Sequence, residues 1–278
     1  MRTRLCRHVQ PERPNRIVIC TGILIGALAW VMPAGAETPE EKGLAIAREA
    51  DRRDQGFQDS TSELKMILKN AHGQTSTRTL RIKTLEVPGE EQGDKTFTIF
   101  DEPRDVAGTA LLSYAQITKP DDQWLYLPAL KRVKRIASAN KSGPFMGSEF
   151  AYEDFTAQEV AKYTYRYLRN EPCGDLECFV SERFPVYEHS GYTRMLAWTD
   201  TEEYRLQKVE FYDRKEDLLK TLTFSNYKQY LGKHWRPLEL HMENHQTGKS
   251  TRLSYDKYEF KTGLTEKDFT RDKLKRVR

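Results

Sequence analysis

Beyond Ser60 the chain alternates apolar and polar residues with a period of two. Leu64, Met66 and Leu68 interleave with Glu63, Lys65 and Lys69, and Leu80 and Ile82 with Arg81 and Lys83. The rhythm returns at Phe97 and Ile99, Leu112 and Tyr114, Trp124 and Tyr126, and Tyr163, Tyr165 and Tyr167, then in six stretches between 179 and 260. Turn signals separate nearly all of them: Pro88-Gly89, Lys119 to Asp122, Gly174-Asp175, Ser190-Gly191 and Thr247-Gly248. Period two puts alternate side chains on opposite faces, so this pattern predicts about ten to twelve antiparallel strands with one wet and one dry face. No strand–helix alternation is present, which argues against a parallel α/β sheet. A sheet that long must curl, because strands twist and a flat sheet exposes its edges.

Two segments depart from the rhythm. Thr38 to Gln55 reads as a helix, with Thr38 as N-cap, Pro39 at the first helical position and Glu40 and Glu41 in the first turn. Lys131 to Phe155 lacks alternation and reads as a long loop; long loops inside compact domains tend to be functional. Helix and loop together are expected to cover the mouth of a curled sheet and leave an apolar container.

The first 36 residues have the three parts of an export signal. Arg2, Arg4, Arg7, Arg13 and Arg16 precede an uncharged run of 16 residues, Ile17 to Met32, and Ala34-x-Ala36 follows. The run is shorter than the roughly 20 residues of a spanning helix, so cleavage after Ala36 is expected, with residues 37–278 as one domain outside the cytoplasm. The leader holds five of the 45 basic and one of the 41 acidic residues, which leaves 40 of each. The basic balance therefore belongs to the leader, and a neutral remainder argues against nucleic acid. Cys6 and Cys20 depart with the leader. Cys173 and Cys178, flanking a Gly-Asp turn in an oxidising compartment, read as a disulfide staple across a hairpin.

Candidate chemistry is sparse. His241, Glu243 and His245 share one strand face, but the spacing is not that of a zinc-protease helix and a solvated face is the simpler reading. Gly248-Lys249-Ser250 lacks the earlier glycine of a phosphate-binding loop. Glu149, Glu153 and Asp154 lie close enough in sequence to draw as an acid–base pair, although surface carboxylates on a loop are commoner. The basic run Lys131 to Arg135 suits lipid phosphates or an acidic partner, and equally an edge strand protected by charge. No cofactor and no metal site is expected.

The segment Asp122 to Ser138 (DQWLYLPALKRVKRIAS), followed by Asn140 to Phe155 (NKSGPFMGSEFAYEDF), resembles the LolA-like family of outer-membrane lipoprotein-sorting proteins. Met242 to Ser250 (MENHQTGKS) looks like that family's late strand pair. The resemblance covers most of the chain after the leader. It implies a mainly β protein, a large curled antiparallel sheet forming a half-open β-barrel with a helical lid, and acyl chains or other lipid in the hollow. It implies a periplasmic carrier rather than an enzyme, and as partner an inner-membrane transporter of the resistance–nodulation–division type. On that reading Trp124, Tyr126, Leu127, Phe145, Met146, Phe150, Tyr152 and Phe155 line or cover the mouth. Arg132 and Arg135 meet a headgroup or a partner, and Gly143 and Gly147 let the lid bend. The Cys173–Cys178 pair is not a family mark. Two rivals stand beside the carrier: a transporter-docking module with a sealed, filled barrel, and an envelope hydrolase using Glu153 or Asp154 in a polar, water-accessible cleft.

Overall fold

The computed structural model describes residues 37–89 and 91–277. The leader and its cleavage site lie outside the described residues. Helix α1 spans Pro39–Asp54; Thr38 caps it, its hydroxyl accepting from Glu41 N at 3.1 Å while Glu41 accepts from Thr38 N at 2.9 Å. Thirteen strands follow: β1 (Asp59–Lys69), β2 (Thr75–Leu85), β3 (Gln92–Glu102), β4 (Ala110–Gln116), β5 (Asp122–Leu127), β6 (Arg132–Arg135), β7 (Tyr163–Cys173), β8 (Leu176–Pro185), β9 (Arg194–Asp200), β10 (Leu206–Tyr212), β11 (Leu218–Tyr230), β12 (His234–Asn244) and β13 (Ser250–Phe260).

They form one antiparallel sheet in the order β6-β5-β4-β3-β2-β1-β13-β12-β11-β10-β9-β8-β7. Every neighbour but one is the next strand in sequence; the exception is the β1–β13 pair, which joins the two halves from Ser60–Phe260 to Lys69–Ser250. The sheet is curled and unclosed, with β6 and β7 as its free edges. The chain between those edges, residues 136–162, runs as short 3₁₀ turns. It covers the gap that the missing strand pairing leaves. The basic run falls on β6, so part of the expected loop is an edge strand whose Arg132, Lys134 and Arg135 are exposed. That is a charge-protected edge. Cys173 and Cys178 are bonded, with Cα atoms 5.9 Å apart across the β7–β8 turn.

Helix α1 lies on the concave face against β7. A Cβ on Gly43 would come within 2.8 Å of Tyr167 N, so only glycine permits this approach. The main core fills the concave side with Leu64, Met66, Leu80, Phe100, Leu111 and Met242 among others. A second core sits on the convex side. There Phe269 and Leu274, from the segment ending in helix α2 (Arg271–Leu274), pack fully buried on Phe97, Ile99, Ala110 and Leu112. The expectation of one wet face therefore fails at β3 to β5, which are dry on both sides because the chain's last segment straps the outside.

Candidate functional site

The two ends of the curl differ. At the end where β1 finishes and β2 starts, residues 144–151 fold into a tight turn that plugs the opening. Phe145 N donates to Phe150 O at 2.7 Å, and Met146 (φ +50°) and Gly147 (φ +78°) take the left-handed conformation that closes it. Both phenylalanines point into the core: Phe145 is fully buried, with ring centroids 4.3 Å from Phe155, 5.4 Å from Tyr152 and 5.7 Å from Phe100.

The plug is tied to strands on the far side. Arg78 of β2 donates to Met146 O at 2.6 Å, and Glu149 N donates to Thr251 Oγ1 of β13 at 3.0 Å. Asn244 of β12 donates to Glu149 Oε2 at 2.7 Å. Lys220 of β11 donates to Glu149 O at 3.0 Å and to Asp154 Oδ2 at 2.8 Å. The Lys220 and Asp154 side chains are only 4% and 9% exposed. Glu153 accepts from Tyr187 OH, Ser190 Oγ and Gly191 N at 2.9–3.0 Å, and burial raises its pKa above the usual carboxylate range. All three carboxylates are thus hydrogen-bonded acceptors: Glu153 and the Asp154 side chain are buried and Glu149 half-buried, and the polar hollow that reaches Glu153, lined by Asp121, Lys162, Tyr187 and His189, is small.

At the opposite end, where β1 begins and β13 finishes, the curl holds a cavity of about 1200 Å³. Its lining combines apolar residues, among them Ala47, Ile82, Phe155, Val160, Phe224 and Tyr255, with many charged ones. The cavity persists because inward positions here are small. Ser60, Ser62, Thr84 and Thr96 line it, whereas farther along the same strands the inward positions hold Leu64 on β1, Leu80 on β2 and Phe100 on β3. On one side Glu159 lies against Gly93 and close to Asp94. Burial pushes Asp94 up to about 7; Glu159, Glu86 and Asp54 push the same way, and the hydrogen bond from Val87 N opposes them. Burial likewise raises Glu159, against the pull of Lys162.

The eight residues expected at the mouth are not brought together there. Phe155 borders the cavity. Leu127, Phe145, Met146, Phe150 and Tyr152 pack in or against the main core at the plugged end instead. Trp124 and Tyr126 face the other way, into the convex core: Trp124 meets Tyr114 at 5.1 Å and Arg271 at 5.7 Å. The inward residues of β5 are Gln123, Leu125 and Leu127; Gln123 is fully buried and donates to Tyr152 O at 2.8 Å. Arg135 pairs with Asp122, and Arg132 is exposed beside Leu130, which is 68% exposed. Gly143 does not adopt a left-handed conformation; Gly147 does. His245 Nε2 lies 2.7 Å from Thr221 Oγ1, and among the described residues no cluster of three His, Cys, Asp or Glu side chains is placed to hold a metal ion.

A family model described only as an uncharacterized protein matches residues 92–276. No curated protein matches the chain. Among solved structures, a domain from Vibrio parahaemolyticus named for outer-membrane lipoprotein sorting is 56% identical. The match covers 85% of this chain and 99% of that one, with a TM-score of 0.83. A DUF1329 family protein from Desulfovibrio piger is 27% identical over 85% of this chain and 99% of its own, TM-score 0.81. A LolA superfamily protein from Nitrosomonas europaea shares the fold at 23% identity, over 83% of this chain and 98% of its own, TM-score 0.66.

Proposed function

Since the chain belongs to the LolA-like family of outer-membrane lipoprotein-sorting proteins, we propose that it is a periplasmic carrier that shelters the acyl chain of a lipid or lipoprotein. The observation that carries this reading is the cavity at the unplugged end. Its volume of about 1200 Å³ exceeds the ~300–1,000 Å³ of ordinary small-molecule pockets. Each methylene moved from water into such a space is worth about 0.8 kcal/mol, so a long chain supplies ample driving force. The apolar residues of the lining take the chain and the charged ones face water. Export by the leader at residues 1–36 places this carrier between the membranes. The basic edge strand β6, with exposed Leu130 beside it, is the surface offered to a membrane transporter of the resistance–nodulation–division type. The carrier reading involves no bond-making chemistry, and the acid pair of the hydrolase alternative is consumed by Lys220, Tyr187 and their neighbours.

The test is native mass spectrometry of protein purified from the periplasm without detergent, followed by solvent extraction and lipid analysis. A bound lipid or acylated peptide that is lost in Phe224→Glu, at the cavity wall, supports the carrier. An empty protein that also takes up no long-chain probe sinks it, and the docking module then takes its place.

A further inference from the structure

Six basic residues border the cavity: Arg52, Arg53, Arg183, Arg205, Lys233 and Arg236. Five of them are engaged. Arg52 and Arg53 pair with Glu49, and Arg236 pairs with Asp54. Arg205 meets Asp200 at 2.9 Å, and Lys233 donates to Gln55 O at 2.7 Å. Arg183 stands apart: among the described residues it has no ion pair and no hydrogen-bond acceptor, and its Nε is buried without a partner.

Its position follows from the register. Arg183 on β8 lies opposite Tyr165 of β7 and Met195 of β9, and both of those are buried in the concave core. The guanidinium therefore points into the hollow, near the hydroxyls of Tyr163 and Tyr165. The carboxylates on the cavity wall are occupied elsewhere or remote from it. Glu86 accepts from Gly56 N and Gln58 N, Asp51 from Gln55, and Glu203 pairs with Arg53. Asp94 is hydrogen-bonded by Val87 N and lies near Glu159, which is drawn toward Lys162; neither carboxylate is paired with Arg183.

A half-buried cation with an unsatisfied N–H is costly to maintain, and the cost is recovered when an anion arrives. The planar guanidinium matches carboxylate and phosphate oxygens in a two-pronged contact. We infer that Arg183 anchors the anionic head group, carboxylate or phosphate, of an amphiphile whose tail lies along Phe155, Val160, Leu206 and Phe224. This rests on the carrier reading and deepens it: the ligand enters the hollow head first, and its charge sets which lipids are taken.

The experiment titrates the purified protein with three sixteen-carbon ligands, palmitate, palmitoyl lysophosphatidate and neutral monopalmitoylglycerol. Wild type is compared with Arg183→Gln and Arg183→Lys, each first confirmed as folded by circular dichroism. Arg183→Gln is expected to weaken an anionic ligand at least tenfold while monopalmitoylglycerol changes less than twofold, and Arg183→Lys is expected to fall between. A loss confined to palmitate assigns a carboxylate head group, and one confined to lysophosphatidate assigns a phosphate. Equal losses for all three ligands, or no loss for either anion, overturn the role of Arg183 and leave the carrier standing. Failure of wild type to bind any of the three removes the carrier and this inference together.

Discussion

Along β1 the inward side chains are Ser60 and Ser62 at one end and Leu64 and Met66 at the other, and the whole molecule divides the same way. The plugged end is dry, aromatic and cross-tied by Arg78, Lys220, Asn244 and Thr251. The open end has small side chains on its inner wall, a large cavity, and charges in its lining. One strand can serve both because a strand's inner face is read two residues at a time. Substituting Ser or Thr for Leu removes side-chain volume without breaking the backbone ladder. The dry packing is thus concentrated at one end, and the proposed carrier would exchange its ligand at the other.

The largest test of this division is at the plug. Lys220→Ala leaves Asp154 as a buried, unpaired carboxylate and is expected to cost ~3–5 kcal/mol. Phe145→Ala, which empties a fully buried site, is expected to cost as much. Chemical denaturation measures both, and a loss below about 1 kcal/mol in either would show that the plug is a loose lid. Replacing the pair by Met and Leu together, at 220 and 154, should recover much of the first loss, since neither charge is then stranded.

An effect spread over several pH units is expected at the open end. Asp94 holds its proton more tightly folded, at about 7, than at its ordinary value of 3.8. The fold is therefore favoured below pH 3.8, loses stability as pH rises toward 7, and is flat above it. The slope for this one proton is at most about 1.4 kcal/mol per pH unit. Asp94→Asn should remove that slope and stabilise the protein at pH 8, where the charge of Asp94 faces Glu159, Glu86 and Asp54. An unchanged pH profile of the melting temperature would contradict this.

The smallest stability change is expected where the cavity has room. Thr84→Phe places a ring in empty space, so stability should move by less than about 1 kcal/mol. Uptake of long-chain ligands should nevertheless drop several-fold in a fluorescence displacement titration. Full uptake would place the ligand elsewhere.

Much of the architecture was legible because it depends on local chemistry. The Thr38-Pro39 cap, the period-two strands and the cysteine pair around Gly174-Asp175 are all set by near neighbours in sequence. The interior was harder. Within Trp124-Leu125-Tyr126-Leu127 every residue is apolar, so alternation could not say which pair faces in. The answer depends on Phe269 and Leu274, some 140 residues later, which make the outside of β5 dry as well. Glu153 and Asp154 looked like surface carboxylates, since Tyr187, Gly191 and Lys220 reach them only in the fold. A signal for the cavity did exist: Ser60, Ser62, Thr84 and Thr96 are small residues at inward positions of otherwise apolar strands. Reading it required knowing which positions face inward.

The most direct test of the central claim, that the open end takes the ligand while the plug stays shut, is hydrogen exchange with and without a bound long-chain ligand. Ligand-induced slowing is expected at the end of α1, the start of β1 and β12, and residues 155–161, with the amides of 144–151 equally slow in both states. Exchange that accelerates at 144–151, or protection confined to that segment, would mean that the plug opens to admit the ligand and would contradict the account.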